Sequence, residues 1–148
     1  MLEQLLNHAR LSAVAVEASD LAQFRGTQDD VGTPRYLALK DRLRRLKAVE
    51  GSVRFVYVFR ALPETKQVIF LGDSAEPGAK DELLPGAEYP QAATAPGLQE
   101  IIRTGQPATE GPLAGDAGTW MTAYAPLGRW TKGDAAGARH LRGVDLDA

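Results

Sequence analysis

The sequence predicts one α+β domain in which an antiparallel sheet of about five strands packs against helices. The first fifty residues repeat apolar side chains every three or four positions, which is the period of a helix, whereas later segments alternate with the period of a strand. The 148 residues are 44% hydrophobic and 24% charged, so they are sufficient for one buried core. We therefore treat residues 1–148 as a single domain.

The first two elements are predicted to be helices. A long amphipathic helix covers Leu2–Phe24, and Gly26 with the polar residues after it ends this helix. Thr33 and Pro34 have the character of an N-cap and a first helical residue, so a second helix begins there and continues to the stop at Gly51. The apolar stripe of the second helix consists of Tyr36, Leu39, Leu43 and Leu46.

The outer face of this second helix is basic. Seven of the 17 Lys and Arg residues fall between positions 35 and 54. Since the whole chain has a formal charge of −2, we interpret the basic residues as a solvent-exposed helix face rather than a site for phosphate or nucleic acid. They are Arg35, Lys40, Arg42, Arg44, Arg45, Lys47 and Arg54.

The remaining elements are predicted to be five strands and one short helix. β-Branched and aromatic residues at 53–60 and 67–72 indicate a hairpin. An acidic, proline-rich loop, Asp73–Pro96, follows and leads into a short helix, Gly97–Thr104. A loop of this length inside a compact domain is typical of a cover over a site. Three further strands are predicted at 108–111, 119–127 and 138–146, with a hairpin tip at 128–137.

Several classes of site are excluded or disfavoured by the composition. The chain has no Cys and two His, so we predict no disulfide, no thiolate nucleophile, no metal site and no cofactor. The sequence holds no GxGxxG, P-loop, HExxH or GxSxG motif. It also holds no signal peptide and no run of 18 apolar residues.

Strand parity predicts where a pocket could form. If the first, fourth and fifth strands are neighbours in phase, Tyr57, Trp120, Tyr124 and Asp145 share one concave face, and Gly143 leaves room beside them. Aromatic walls with a few polar groups are typical of a small-molecule pocket. The alternative is an aromatic core packed against a helix. Within either, the Asp145 carboxylate needs a partner because an unpaired buried carboxylate is costly.

Five segments in this order resemble the PAS-like Cache (PDC) sensor domains of bacterial membrane receptors. The segments are RFVYVFR, FLGDSAEPG, LPGAEYPQA, TEGPLAGDAGTWMTAYAPL and LRGVDLDA, and the resemblance covers Leu2 to Ala148. It implies a central antiparallel sheet flanked by a long N-terminal helix, with a ligand pocket between the sheet and the loop.

The resemblance also implies a location and a set of ligand-binding residues. Such domains lie on the periplasmic or outer side of an inner-membrane protein, upstream of a histidine kinase, diguanylate cyclase or chemoreceptor output. We therefore expect a segment excised from a longer receptor, in which membrane spans adjoin the first helix and the last strand. The implied ligand-binding residues are Tyr57, Arg60, Asp73, Tyr89, Trp120, Tyr124 and Asp145.

Three functions compete at this point. The first is a binding module for a small polar ligand, such as an amino acid or an organic acid, that passes a conformational change to a cytoplasmic output domain. The second is a structural or dimerisation domain without its own ligand, in which the Leu2–Phe24 helix forms a homodimer contact. The third is an enzyme that uses Asp145 and Asp147, but no nucleophile or base accompanies them, so we predict no catalytic activity.

Overall fold

The computed structural model describes residues 18–49, 53–62, 67–115, 118–127 and 139–147. These residues form an α+β domain, as predicted. Its helices are α1 (Ala18–Leu21), α2 (Pro34–Val49) and α3 (Pro96–Thr104), and its strands are β1 (Val53–Leu62), β2 (Gln67–Asp73), β3 (Ala108–Gly115), β4 (Gly118–Leu127) and β5 (Arg139–Asp147).

The five strands form one antiparallel sheet in the order β2-β1-β5-β4-β3. The last strand therefore lies in the centre, between the first and the fourth. This arrangement confirms the predicted sheet and the predicted β1-β2 hairpin. It also puts the neighbours β1, β5 and β4 in phase, which was the condition for a shared concave face.

The helix boundaries agree with the capping signals where the structure describes them. Helix α2 begins at Pro34, and the Thr33 hydroxyl accepts a hydrogen bond from the Tyr36 amide at 3.3 Å. Of the predicted Leu2–Phe24 helix, residues 18–24 are described, and α1 ends at Leu21, so the predicted end at Phe24 is three residues too late. Residues 2–17 of that helix, the stop at Gly51 and the hairpin tip at 128–137 lie outside the described residues.

The sheet has two buried faces. The helix face packs against α1 and α2, where the buried apolar core includes Leu21, Phe24, Leu39 and Leu43. We define it by its sheet residues, Val56, Val58, Arg60, Leu71, Ala123, Ala125, Leu127, His140, Arg142 and Val144.

The loop face packs against α3 and the long acidic loop. Ala92, Ala95, Leu98 and Ile101 cover it from the loop and α3. We define it by its sheet residues, Tyr57, Phe59, Ala61, Val68, Phe70, Ala108, Glu110, Trp120, Thr122, Tyr124, Leu141, Gly143 and Asp145.

The acidic loop follows the outer edge of the sheet. Its second half runs beside β2, where the Gly86 amide donates to the Phe70 carbonyl and the Tyr89 amide donates to the Val68 carbonyl, both at 2.9 Å. A 3₁₀ turn, Pro90–Ala93, then leads into α3. These backbone bonds attach the second half of the loop to β2, where it forms one wall over the loop face.

One member of the predicted basic face is buried, so the prediction of a solvent-exposed row is wrong at Lys40. Lys40 is 3% exposed, and its ammonium lies 2.7 Å from Asp73 Oδ1 and 2.6 Å from Glu82 Oε2. The helical period explains this position, because Lys40 follows Tyr36 by four residues and precedes Leu43 by three. It therefore belongs to the buried side of α2, and its charge requires the two carboxylates.

Within the described ranges, no helix combines the length and the apolar character needed to cross a lipid bilayer.

Candidate ligand-binding cavity

A cavity of about 500 Å³ opens on the loop face. Its volume falls within the range of about 300 to 1,000 Å³ that is common for small-molecule sites. Its walls come from the sheet, the acidic loop and the beginning of α3. The lining residues are Tyr57, Phe59, Phe70, Leu83, Tyr89, Gln91, Thr94, Ala95, Pro96, Glu110, Ala114, Trp120, Thr122 and Asp145.

Asp145 supplies a carboxylate at one side of this cavity. The hydroxyls of Tyr57 and Thr122 both donate to its Oδ1, at 2.5 and 2.6 Å. Burial raises the pKa of Asp145, and the two hydroxyl donors act in the opposite direction. Because a carboxylate has room for about four hydrogen bonds, two donors on one oxygen leave capacity for a ligand.

Gly143 allows the Tyr57 hydroxyl to reach this carboxylate. The two residues are register partners on β5 and β1, and a Cβ atom at position 143 would overlap the Tyr57 ring. Without a side chain at position 143, the ring lies across β5 and meets Asp145 two residues further along that strand. The sequence-based expectation was that Gly143 leaves room in the pocket, but the Tyr57 ring fills this room.

Glu110 supplies a second carboxylate, which the sequence analysis did not identify. Glu110 is 7% exposed, and its Oε1 accepts a hydrogen bond of 3.3 Å from the Leu98 amide near the start of α3. Burial, and then the charge of Glu110 and a hydrogen bond to it, raise the pKa of Tyr124. Strand parity puts Glu110 on the same face as Ala108, but its position opposite Thr122 depends on the β3-β4 register.

Aromatic rings form the apolar wall of the cavity. The Phe59 and Tyr89 rings are stacked with centroids 5.6 Å apart, and the Tyr57 ring meets Phe59 edge-on at 4.9 Å. Phe70 packs beside Phe59 at 4.6 Å. These contacts give the cavity a rigid apolar side opposite its carboxylates.

The charges around the cavity are unequal. Among the described residues, the lining includes two carboxylates, Asp145 and Glu110, and no Lys, Arg or His. Arg54 lies outside this lining but acts on Asp145. Its guanidinium carbon is 5.1 Å from the centre of the Trp120 ring, and its charge lowers the pKa of Asp145 against the larger effect of burial.

The structure brings five of the seven predicted site residues together. Tyr57, Tyr89, Trp120 and Asp145 line the cavity. Tyr124 is buried beneath it, with its ring 6.3 Å from that of Phe59. These five residues therefore share the loop face or its covering loop, although their role in binding stays a prediction.

Arg60 lies on the helix face, so its predicted place in the pocket is wrong. Its Nη2 donates to the carbonyls of Leu21 and Phe24 at 2.9 and 2.8 Å, and its Nε donates to His140 Nε2 at 3.1 Å. The physical reason is strand parity, because Arg60 and Tyr57 are three residues apart and project from opposite faces of β1.

Asp73 also lies away from the cavity lining, contrary to the prediction. Its Oδ1 contacts the Lys40 ammonium at 2.7 Å, and its Oδ2 accepts the Leu83 amide at 2.8 Å. Asp73 thus joins α2 to Leu83, a loop residue that lines the cavity. Within the described residues, no group of three acidic or His side chains could hold a metal ion.

Comparison with known proteins yields a distant structural neighbour. No family model matches the chain, and no curated protein matches it. Among solved structures, the ligand-binding domain of the Campylobacter jejuni chemoreceptor Tlp3 in complex with L-valine is similar, with 14% sequence identity and a TM-score of 0.49. The alignment covers 99% of this chain and 59% of that one, so this chain spans less than two thirds of the Tlp3 domain.

Proposed function

We propose that this domain is the sensing segment of a membrane receptor and that its cavity binds a small organic amine. The observation that supports the proposal is the Asp145 carboxylate, held by neutral hydroxyls in an aromatic cavity whose described lining contains no cation. A protonated amine would supply the missing positive charge and donate to the carboxylate.

The ring wall favours the same class of ligand. The faces of Tyr, Trp and Phe rings attract cations, and this attraction increases when the site excludes water. An organic acid would bring a third negative charge beside Asp145 and Glu110. Of the polar ligands expected from the sequence, an organic acid is therefore disfavoured, and an amino acid would need a separate partner for its carboxylate.

The acidic loop offers a route from the cavity to a helix. Leu83 lines the cavity, and its amide is bonded to Asp73, which binds Lys40 of α2. Glu82, the adjacent loop residue, binds the same ammonium. We propose that ligand binding shifts this loop and α2 relative to the sheet and that the shift passes to an output domain. This requires only that the ligand has different affinities for the two arrangements.

Three compounds that share a phenyl ring but differ in charge would test which class of ligand the cavity binds. Calorimetric titration and melting temperature would be measured with 2-phenylethylamine, phenylalanine and 3-phenylpropionate. We expect the amine to bind and raise the melting temperature, and the acid to have no effect. Replacing Asp145 with Asn should weaken amine binding about 10- to 100-fold, because hydrogen bonds to charged groups contribute about 1.5 to 3 kcal/mol.

Asp41→Asn is the matched control, since the Asp41 side chain is 60% exposed on α2 and pairs with Arg45. It should bind the amine as the unmodified chain does. If the amine has no effect, or if Asp145→Asn leaves its affinity unchanged, the proposal fails. The structural or dimerisation domain without a ligand would then be the better description.

Hydrogen exchange would test the proposed route to α2. Ligand should change the exchange of α2 amides in the unmodified chain, and Lys40→Met should remove that change while ligand still binds. Unchanged exchange in α2 of the ligand-bound chain would contradict transmission through this helix.

A further inference from the structure

The two cavity carboxylates lie in one row across the sheet. Glu110 on β3 is the register partner of Thr122 on β4, which is the register partner of Asp145 on β5. Neighbouring strands are about 4.8 Å apart, so two strand spacings put the Glu110 and Asp145 backbones about 10 Å apart. All three side chains line the same cavity.

Each carboxylate is held separately and by neutral donors. Asp145 accepts from the Tyr57 and Thr122 hydroxyls, whereas Glu110 accepts from the Leu98 amide and interacts with Tyr124. No lining side chain that the structure describes supplies positive charge to either carboxylate. The Phe59 and Phe70 rings of the cavity wall make none of these hydrogen bonds, so the row lies in a cavity that also has an apolar side.

The proximity of the two carboxylates has an electrostatic consequence. The charge of Glu110 contributes to raising the pKa of Asp145, which means that the two groups repel each other through the cavity. A ligand with one ammonium group would relieve this repulsion at one end of the row. A ligand with a positive group at each end would relieve it at both.

We infer that the cavity takes a short linear diamine, with one ammonium group at Asp145 and the other at Glu110. This inference rests on the proposed function and names its ligand class more narrowly. Two ammonium groups placed directly between the carboxylates, each about 2.8 Å from its partner, would be about 4.4 Å apart, whereas two placed beside the carboxylates would be up to about 10 Å apart. The nitrogens of an extended chain of four or five carbons, about 6 to 7.5 Å apart, fall within this range, and those of diaminoethane, about 4 Å apart, do not. The methylene groups would lie along Phe59, Phe70 and Tyr89.

A series of amines of graded length tests the inference on the unmodified chain. Calorimetric titration would use 1,2-diaminoethane, 1,4-diaminobutane, 1,5-diaminopentane and butylamine. We expect 1,4-diaminobutane or 1,5-diaminopentane to bind about tenfold or more tightly than butylamine, because the second charged contact exists only for the longer diamines. Diaminoethane should bind less tightly than the longer diamines.

Glu110→Gln locates the second contact. It keeps an acceptor for the Leu98 amide, and we expect it to reduce the diamine advantage over butylamine to within about threefold, because only the diamine loses a direct charged contact. Glu100→Gln is the matched control, since the Glu100 side chain is 52% exposed and pairs with Arg103 on the outside of α3. That variant should retain the full diamine advantage.

The outcomes separate this inference from the proposed function. If butylamine binds as tightly as the diamines, or if Glu110→Gln keeps the diamine advantage, the inference is wrong while the amine-binding proposal stands. If neither the monoamines nor the diamines bind, both are wrong. Diamine binding that depends on Glu110 and on chain length supports both.

Discussion

The two faces of the sheet bury opposite charges. The helix face holds three buried basic residues, Arg60, His140 and Arg142, whereas the loop face holds the acidic Glu110 and Asp145. These side chains differ in their partners as well as in their sign. The difference separates a face whose Arg60 binds the backbone from a face whose carboxylates accept from neutral donors.

On the helix face, Arg60 attaches the sheet to the chain around α1. Its guanidinium binds the Leu21 and Phe24 carbonyls and also His140. On the loop face, Asp145 and Glu110 accept from neutral hydroxyl and amide groups. A cation bound to backbone carbonyls has a structural role, whereas a desolvated carboxylate that accepts from neutral donors is suited to a charged ligand.

The largest expected effect is at the Lys40 cluster, where α2 meets the acidic loop. Lys40→Met should lower the free energy of unfolding by about 3 to 5 kcal/mol, because it leaves Asp73 and Glu82 buried without their cation. Urea unfolding at pH 7 would measure this change. Arg45→Met, at a side chain that is 79% exposed, should change the free energy by less than about 1 kcal/mol.

A neutral triple variant sharpens this test. Lys40→Met combined with Asp73→Asn and Glu82→Gln should recover part of the lost stability, since no unpaired carboxylate then remains in the cluster. A loss below about 1 kcal/mol in Lys40→Met alone would show that the cluster does not hold the loop to α2.

The elements of the fold could be predicted because their signals are local. The capping pair Thr33 and Pro34 marks the start of α2, and period-two alternation marks the strands. Parity also placed Tyr57 and Asp145 on one face, and the sheet order confirms that they are neighbours across β1 and β5.

The site could be predicted only in part, because its partners are far apart in sequence. Glu110 enters the cavity through its register with Thr122, which no local pattern encodes. The sequence placed Lys40 in an exposed basic row, because its ion pairs with Asp73 and Glu82 join segments that are far apart in sequence. Arg60 was assigned to the pocket by resemblance, although strand parity already put it on the other face.

A pH-dependent stability is expected from the helix face. Burial, and then the charge of Arg60, lower the pKa of His140 to about 4 in the folded chain, from 6.5. The unfolded chain therefore takes up the proton first as the pH falls. The stabilising contribution is complete above about pH 6.5 and is lost between about pH 6.5 and 4, by up to about 3 kcal/mol.

His140→Gln would isolate this contribution, since Gln offers Arg60 an acceptor and does not titrate. Chemical unfolding at several pH values between 4 and 7 would be compared for the two chains. The variant should lose less stability than the unmodified chain over this range. Parallel curves would contradict the assignment to His140.

Arg142 is the exception on the helix face, and we expect its removal to stabilise the fold. It is fully buried, burial lowers its pKa to about 9, and its guanidinium nitrogens have no hydrogen-bond partner within the described ranges. Arg142→Met keeps the aliphatic stem and removes the desolvated charge, so the free energy of unfolding should rise by about 1 to 3 kcal/mol.

Arg103→Met is the control for this change, since the Arg103 side chain is 70% exposed on α3. It should leave stability within about 0.5 kcal/mol of the unmodified chain. A loss of stability in Arg142→Met would contradict this prediction.

The smallest effect on stability is expected at Asp145, although it is the residue on which the proposed ligand binding depends. Without ligand, Asp145→Asn should change the free energy of unfolding at pH 7 by no more than about 1 kcal/mol. Asn retains an oxygen that accepts from the Tyr57 and Thr122 hydroxyls, and the desolvated charge is removed. Burial raises the pKa of Asp145, so its charged form at pH 7 opposes folding, and this cost offsets the weaker hydrogen bonds to Asn. Urea unfolding beside Lys40→Met compares the two regions directly. If Asp145→Asn destabilises the chain as much as Lys40→Met, Asp145 has a structural role and the contrast between the two faces is lost.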